Sequence, residues 1–241
     1  MHSDNKEPIE KPAYLAVTQE RIMEDLQKSG CPVCNYMEDA VFGFLAKWQY
    51  ALTYDEKAQR NHALELGFCP VHTWHLAAVA TSRGLSRGYP RLLELIADEL
   101  LKLIDASVVL RDDIAALIQS SENCRVCQLL QETEKTYINR LATCLECTEG
   151  SDLYSRSHGV CLHHLSLLIS PVHSAEVVRF LLEEKAKRLR ETANHMQNYV
   201  LKHEALDRHL ISRDEQRAYL RALVHIAGAR NICALHIRPV D

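Results

Sequence analysis

Apolar residues along the chain recur mostly three and four positions apart, and no segment shows convincing period-two alternation of the kind a half-buried strand needs. Leu92, Leu93, Leu95, Ile96, Leu100, Leu103 and Ile104 form one continuous stripe and predict a long helix from Tyr89 to about Ser120. A second long helix is predicted from Ser174 to about His203. Pro90 and Ser174 suit helix starts, one by its fixed φ and the other by its hydroxyl acceptor. Shorter helices are expected at His72–Ser82 and His164–Ser170, with a leader helix near Val17–Lys28 and a closing helix at Arg213–Ala227. The expected fold class is all-α.

The pattern repeats. The first half carries Cys31-Pro-Val-Cys34, a gap of 34 residues, then Gly67-Phe-Cys69-Pro-Val-His72. The second carries Cys124-Arg-Val-Cys127, a gap of 33, then Gly159-Val-Cys161-Leu-His-His164. The offset is 93 at the first pair and 92 at the second. Apolar residues repeat with it: Tyr36 and Met37 correspond to Leu129 and Leu130, Phe44 and Leu45 to Tyr137 and Ile138, and Trp48 to Leu141. Each C-x-x-C therefore opens an amphipathic helix, and the long gap suits a helix plus its return loop. The expected architecture is a tandem duplication of a three-helix metal-binding module. Repeats at 29–120 and 121–204 follow a tail and leader helix at 1–28 and precede a C-terminal helix and tail at 205–241.

Two cysteines two residues apart can aim both sulfurs at one ion, and a distant C-x-x-H supplies the remaining donors of a Cys₃His set. The spacing predicts one site from Cys31, Cys34, Cys69 and His72, and another from Cys124, Cys127, Cys161 and His164. The competing view takes these residues as small hydrophobes in a core, yet packing alone does not call for two-residue spacing twice over. Zinc, two ions per chain, suits Cys₃His; a [4Fe–4S] cluster at each site is the alternative. A third pair, Cys144-Leu-Glu-Cys147, reads as a solvent-facing pair at a helix end, with a third site involving His158 or His163, or a redox dithiol, as the sharper alternatives. Cys233 and His236 form a C-x-x-H with no accompanying C-x-x-C, and chance explains it better than ligation.

The doubled C-P-x-C and G-F-C-x-x-H motifs, with Lys202-His203-Glu204 and a closing run ending Ala227-Gly228, resemble an uncharacterised prokaryotic family catalogued as a domain of unknown function. The resemblance covers most of the chain and implies the helical fold and ligand positions, but no activity. Two features depart from its pattern: Arg125 stands where the first copy has Pro32, and Cys144 and Cys147 are extra.

Composition narrows the function classes. Charged residues make up 25% and apolar ones 47%, the balance of a soluble globular protein. A formal charge of −4 gives no support for a nucleic-acid or anionic-membrane surface. No stretch approaches the roughly 20 apolar residues of a membrane span, and the polar start has no signal-peptide core, so a cytoplasmic location is expected. Phosphate loops, G-x-S-x-G and metalloprotease motifs are missing from the sequence. The run Glu183–Glu191, mixed in sign, reads as a solvated helix face. Trp48, Phe42, Phe44, Trp74 and Phe68 are expected as core around the first site. The function expected is a non-catalytic metal-binding scaffold, interaction or regulatory protein with a protein partner, compatible with a homo-oligomer. An electron-transfer protein carrying two clusters is the alternative.

Overall fold

The computed structural model describes residues 17–104, 109–205 and 207–229. Among them lie twelve α-helices and no strand, so the protein is all-α. No helix of the described residues is long and apolar enough to cross a membrane. Each half opens on a long helix, α2 (Pro32–Tyr54) and α8 (Arg125–Leu145), and continues with two short ones, α3 (Glu56–Leu64) and α4 (Pro70–Val79), or α9 (Thr148–Arg156) and α10 (Leu162–Ile169). A longer helix follows, α6 (Pro90–Ile104) or α11 (Ala175–Glu204); α1 (Gln19–Leu26) and α12 (Arg213–Ala227) flank the whole. The first half also holds α5 (Ser82–Gly88) and α7 (Arg111–Ala115).

Several starts follow from local chemistry. Thr18 caps α1 by accepting the Arg21 N–H, and Ser174 caps α11 by accepting that of Val177; such caps contribute about 1 kcal/mol each. Pro90 opens α6, where its missing N–H costs nothing.

Three expectations need correction. The gap between each C-x-x-C and C-x-x-H is not one helix and a loop, because α3 and α9 occupy it. These helices are short and rich in polar residues, so they left no apolar stripe. The helix expected to run from Tyr89 to Ser120 ends its described course at Ile104, and Val109 and Leu110 are not helical. There the Asp113 carboxylate accepts the Leu110 N–H and starts α7 afresh. Phe42 and Trp74 are not core: they are 61% and 76% exposed, whereas Phe68 is buried.

The chain divides into two compact units whose limits cut across the sequence repeats. One comprises residues 1–32 and 136–226, the other 33–135 and 227–241. The divisions fall inside the first turn of α2 and within α8. In the first unit, Ile22, Leu26, Tyr137, Leu141, Tyr154, Leu165 and Leu181 are buried. Here α1 packs on α9, and the buried Asp25 carboxylate accepts Arg21 Nε at 3.0 Å, Lys28 Nζ at 2.7 Å and the Tyr137 hydroxyl at 3.2 Å. In the second unit, Tyr36, Met37, Leu45, Leu52, Phe68, Leu76 and Leu92 form the core, with α3 and α5 packed on α6. Burying a side chain of this size stabilises by about 1.5–3 kcal/mol.

Candidate metal centres

All eight residues expected as ligands stand at helix N-termini, and in a repeated way. Cys31, Cys69, Cys124 and Cys161 each immediately precede a helix, α2, α4, α8 and α10. Cys34, His72, Cys127 and His164 follow three residues later, in the first turn. This spacing turns both side chains of a motif to the same side of the helix end, where unpaired backbone N–H groups gather. At Cys161 the contact is direct: its sulfur accepts the His164 N–H at 3.5 Å.

The chain enters α4 and α10 through Gly67 and Gly159, with φ of +71° and +67°. This left-handed conformation strains residues that carry a Cβ. Gly159 has a second reason to be glycine, since a Cβ there would lie 2.9 Å from the Arg188 guanidinium.

The structure brings the ligands together in sets that differ from those expected. Cys31 and Cys34 join Cys161 and His164, while Cys69 and His72 join Cys124 and Cys127. Within each set the donor atoms all lie within 4.8 Å of one another. The expected sets, Cys31 and Cys34 with Cys69 and His72, and Cys124 and Cys127 with Cys161 and His164, are therefore corrected. Each C-x-x-C meets the C-x-x-H of the other sequence copy. Spacing fixes which residues can share a helix turn, but which two turns converge depends on how the helices pack.

In the first set His164 Nδ1 lies 3.3 Å from Cys31 Sγ and 3.2 Å from Cys161 Sγ, and all four residues are buried. In the second, His72 Nδ1 lies 3.2 Å from Cys69 Sγ, 3.3 Å from Cys127 Sγ and 3.6 Å from Cys124 Sγ. Cys69 and Cys127 sulfurs are 3.8 Å apart. Here three residues are buried and Cys127 is half-buried.

Three sulfurs at this spacing cannot all ionise unaided. Its contact with Cys127, reinforced by Cys69 and His72, holds Cys124 far below the usual thiol range; contact with Cys124 and Cys69 keeps Cys127 protonated. Burial pulls the His72 imidazole down, but the sulfurs of Cys124 and Cys69 outweigh it and raise it to about 9. To bind a metal the three cysteines would ionise and His72 would give up its proton; the thiolates would then carry −3, and two helix N-termini offset roughly +0.5 each. The remaining charge, about −2, is what a divalent cation would cancel. The donor sets thus fit a metal ion.

Other groups support the sets, and the sequence pointed to few of them. Lys185 and Arg188 lie in the run expected as a solvated face, yet both are buried. Lys185 Nζ donates to the Val160 carbonyl at 3.0 Å and contacts His225 Nδ1 at 3.0 Å. Burial lowers this amine to about 8, against the pull of the Cys161 and Cys31 sulfurs. Arg188 donates to the carbonyls of Tyr154, Ser155 and Ser157, closing the C-terminal end of α9, and lies 4.9 Å from the Tyr154 ring centre. The charged residues around them, Glu183 and Glu184 before Lys185 and Glu184 and Glu191 a turn either side of Arg188, disguised them as surface residues. The Ala229 N–H reaches Cys34 Sγ at 3.4 Å, just past Gly228, whose φ of +74° ends α12. The Gly228 motif was the one signal for that contact.

In the second unit, Arg125 pairs with the Glu65 carboxylate through both Nε and a terminal nitrogen. Its guanidinium also lies 5.2 Å from the Trp48 ring centre. Arg125 therefore anchors the first turn of α8, at the helix position Pro32 occupies in α2. Trp48 Nε1 donates to His62 Nδ1 at 3.3 Å, and His62 stands edge-on to Phe68 and Tyr89. Cys144 and Cys147 join neither set, and no group of three or more donors includes them among the described residues, with His158, His163 or otherwise. Cys144 is buried and Cys147 exposed, so only one of this pair faces solvent. Cys233 and His236 lie outside the described residues.

No curated protein and no solved structure matches the chain. Residues 17–207, which include all eight ligand-type residues, match the profile described as a family of unknown function, DUF6062. The chain belongs to that family.

Proposed function

We propose that the protein is a zinc-dependent helical scaffold in which each ion ties two helix starts together, and that it is not an enzyme. The observation carrying this reading is the separation of the donor atoms. Zinc–sulfur bonds of about 2.3 Å and zinc–nitrogen bonds of about 2.0–2.1 Å in a tetrahedron put sulfurs about 3.8 Å apart and sulfur about 3.6 Å from nitrogen. The Cys69–Cys127 separation is 3.8 Å, and the sulfur–Nδ1 separations run from 3.2 to 3.6 Å. A four-iron cluster binds each ligand to a different iron and needs its ligand atoms further apart than two donors on one ion. Separations within 4.8 Å favour a single ion.

Four protein donors fill a tetrahedron, whereas a catalytic zinc keeps a position for water or substrate. This argues for a structural ion. A reducing compartment such as the cytoplasm keeps such thiols available. The scaffold would serve a protein partner: Val200 and Leu201 on α11, and Leu220, Leu223 and Ile226 on α12, are apolar and exposed.

The experiment is elemental analysis and absorption spectroscopy of protein purified without oxygen, since oxygen could destroy a cluster and let zinc replace it. The expected result is a colourless protein with about two zinc ions per chain. A brown protein with iron and sulfide in near-equal amounts would replace this reading with electron transfer.

A further inference from the structure

Cys144 and Cys147 belong to neither donor set, and their geometry has a chemistry of its own. Cys144 lies in the last turn of α8 and Cys147 immediately precedes α9. The Cys147 N–H donates to the Cys144 carbonyl at 3.3 Å, closing a tight turn between the two. A turn of this kind holds its first and last Cα atoms within about 7 Å, and a disulfide spans about 4.4–6.8 Å. The Cys147 side chain already folds back over its partner, with Sγ 3.0 Å from the Cys144 carbonyl oxygen.

Gly150 makes this junction close. A Cβ on it would lie 2.0 Å from the Cys144 oxygen and 2.8 Å from the Cys144 sulfur. The first turn of α9 therefore rests on Cys144 itself, covering one sulfur while the other stays open. Cys147 is exposed and Cys144 is buried. Burial, with Cys147 beside it, pushes the Cys144 thiol up. Attack from solvent thus falls to Cys147, and Cys144 is placed to respond only once Cys147 has reacted.

We propose that Cys147 and Cys144 form a reversible disulfide site, separate from the metal centres, that reacts with low-molecular-weight disulfides of the glutathione class. The Cys147 thiolate attacks one sulfur of the small disulfide, whose S–S bond breaks and releases one thiolate. The product is a mixed disulfide on Cys147. Cys144 then loses its proton to water and attacks Cys147 Sγ, expelling the second small thiol. The small disulfide is reduced to two thiols, and the protein dithiol is oxidised to one disulfide. Excess small thiol reverses both steps.

The test uses full-length protein purified anaerobically with its metal and treated with glutathione disulfide. Peptide mass mapping and metal content are followed together. Wild-type protein is expected to form the Cys144–Cys147 disulfide, to lose two free thiols per chain and to keep its metal. Cys144→Ser should accumulate a stable glutathione adduct on Cys147, because nothing displaces it. In Cys147→Ser, Cys144 should react at least about tenfold more slowly than Cys147 does in wild type, as a covered thiol should. A wild-type adduct on Cys147 that never closes would overturn the proposal. So would loss of metal-ligand thiols before this pair reacts, or equal reactivity of Cys144 in Cys147→Ser.

Discussion

Lys185 is an ammonium taken out of water beside sulfurs, on a helix whose sequence reads as a solvent-facing charge ladder. A buried cation survives only where acceptors meet it, and the Val160 carbonyl and His225 supply them. Because Val160 precedes Cys161, the amine also fixes the peptide that presents a donor sulfur. Lys185→Met keeps most of the packing volume and removes both effects. One of the two metal ions should then leave to a chelator about 10–100-fold more readily, while the other is held as in wild type. Chelator competition followed by a colorimetric zinc indicator reads this directly; equal release of both ions would deny Lys185 its supporting role.

His62 gives the pH dependence. Burial, helped by the Arg125 charge, lowers its imidazole from 6.5 to about 4. The folded protein therefore favours the neutral ring. The stability this contributes is present above the unfolded value of 6.5 and is lost as pH falls through about 4. A shift of this size corresponds to roughly 3 kcal/mol. In an NMR titration the His62 ring signals should stay at their neutral positions down to about pH 5. Titration of His62 near 6.5 would contradict the packing of its ring among Trp48, Phe68 and Tyr89.

At the scale of the element, four helices begin in one way: a cysteine, a first turn, and a second donor three residues on. Gly159 sets the approach to α10 and also leaves room for Arg188, which closes the end of α9. Gly159→Ala meets both the backbone strain and the guanidinium, and should lower stability by about 2 kcal/mol. Urea denaturation should place the midpoint of Gly159→Ala below that of wild type. Equal midpoints would mean that neither the conformation at Gly159 nor its contact with Arg188 matters to stability.

The sequence made much of this scale legible. The expected closing helix matches α12 from Arg213 to Ala227, and Ser174 is the cap that begins α11. Long stripes announce themselves because many apolar positions repeat. The helices α3 and α9 could not do so, having nine residues each and few apolar ones. Nor could the break before α7, which depends on one carboxylate reaching one N–H.

At the scale of the molecule, the eight ligand-type residues were legible and their partnership was not. Local spacing tells which side chains leave one helix turn together. It carries no information on which turns pack face to face: that Arg125, beside Cys124, pairs with Glu65, four residues before Cys69, is a contact between residues 60 positions apart that spacing does not announce. Crossed sets also mean that an ion bound at either one would close a longer loop than the sequential pairing would: Cys31 meets Cys161, not Cys69. Fixing a long loop removes more chain entropy from the unfolded state, though only logarithmically. Metal removal should accordingly lower the melting temperature.

The crossing itself is decided by counting zinc in two double variants. Cys31→Ala with Cys161→Ala strikes one set twice and should retain about one zinc ion per chain, whereas Cys31→Ala with Cys69→Ala strikes both sets and should retain about none. Elemental analysis of the two purified proteins, beside wild type with about two ions, gives the answer. The opposite outcome, one ion kept by the Cys31 and Cys69 variant and none by the Cys31 and Cys161 variant, would show that each sequence copy closes its own site.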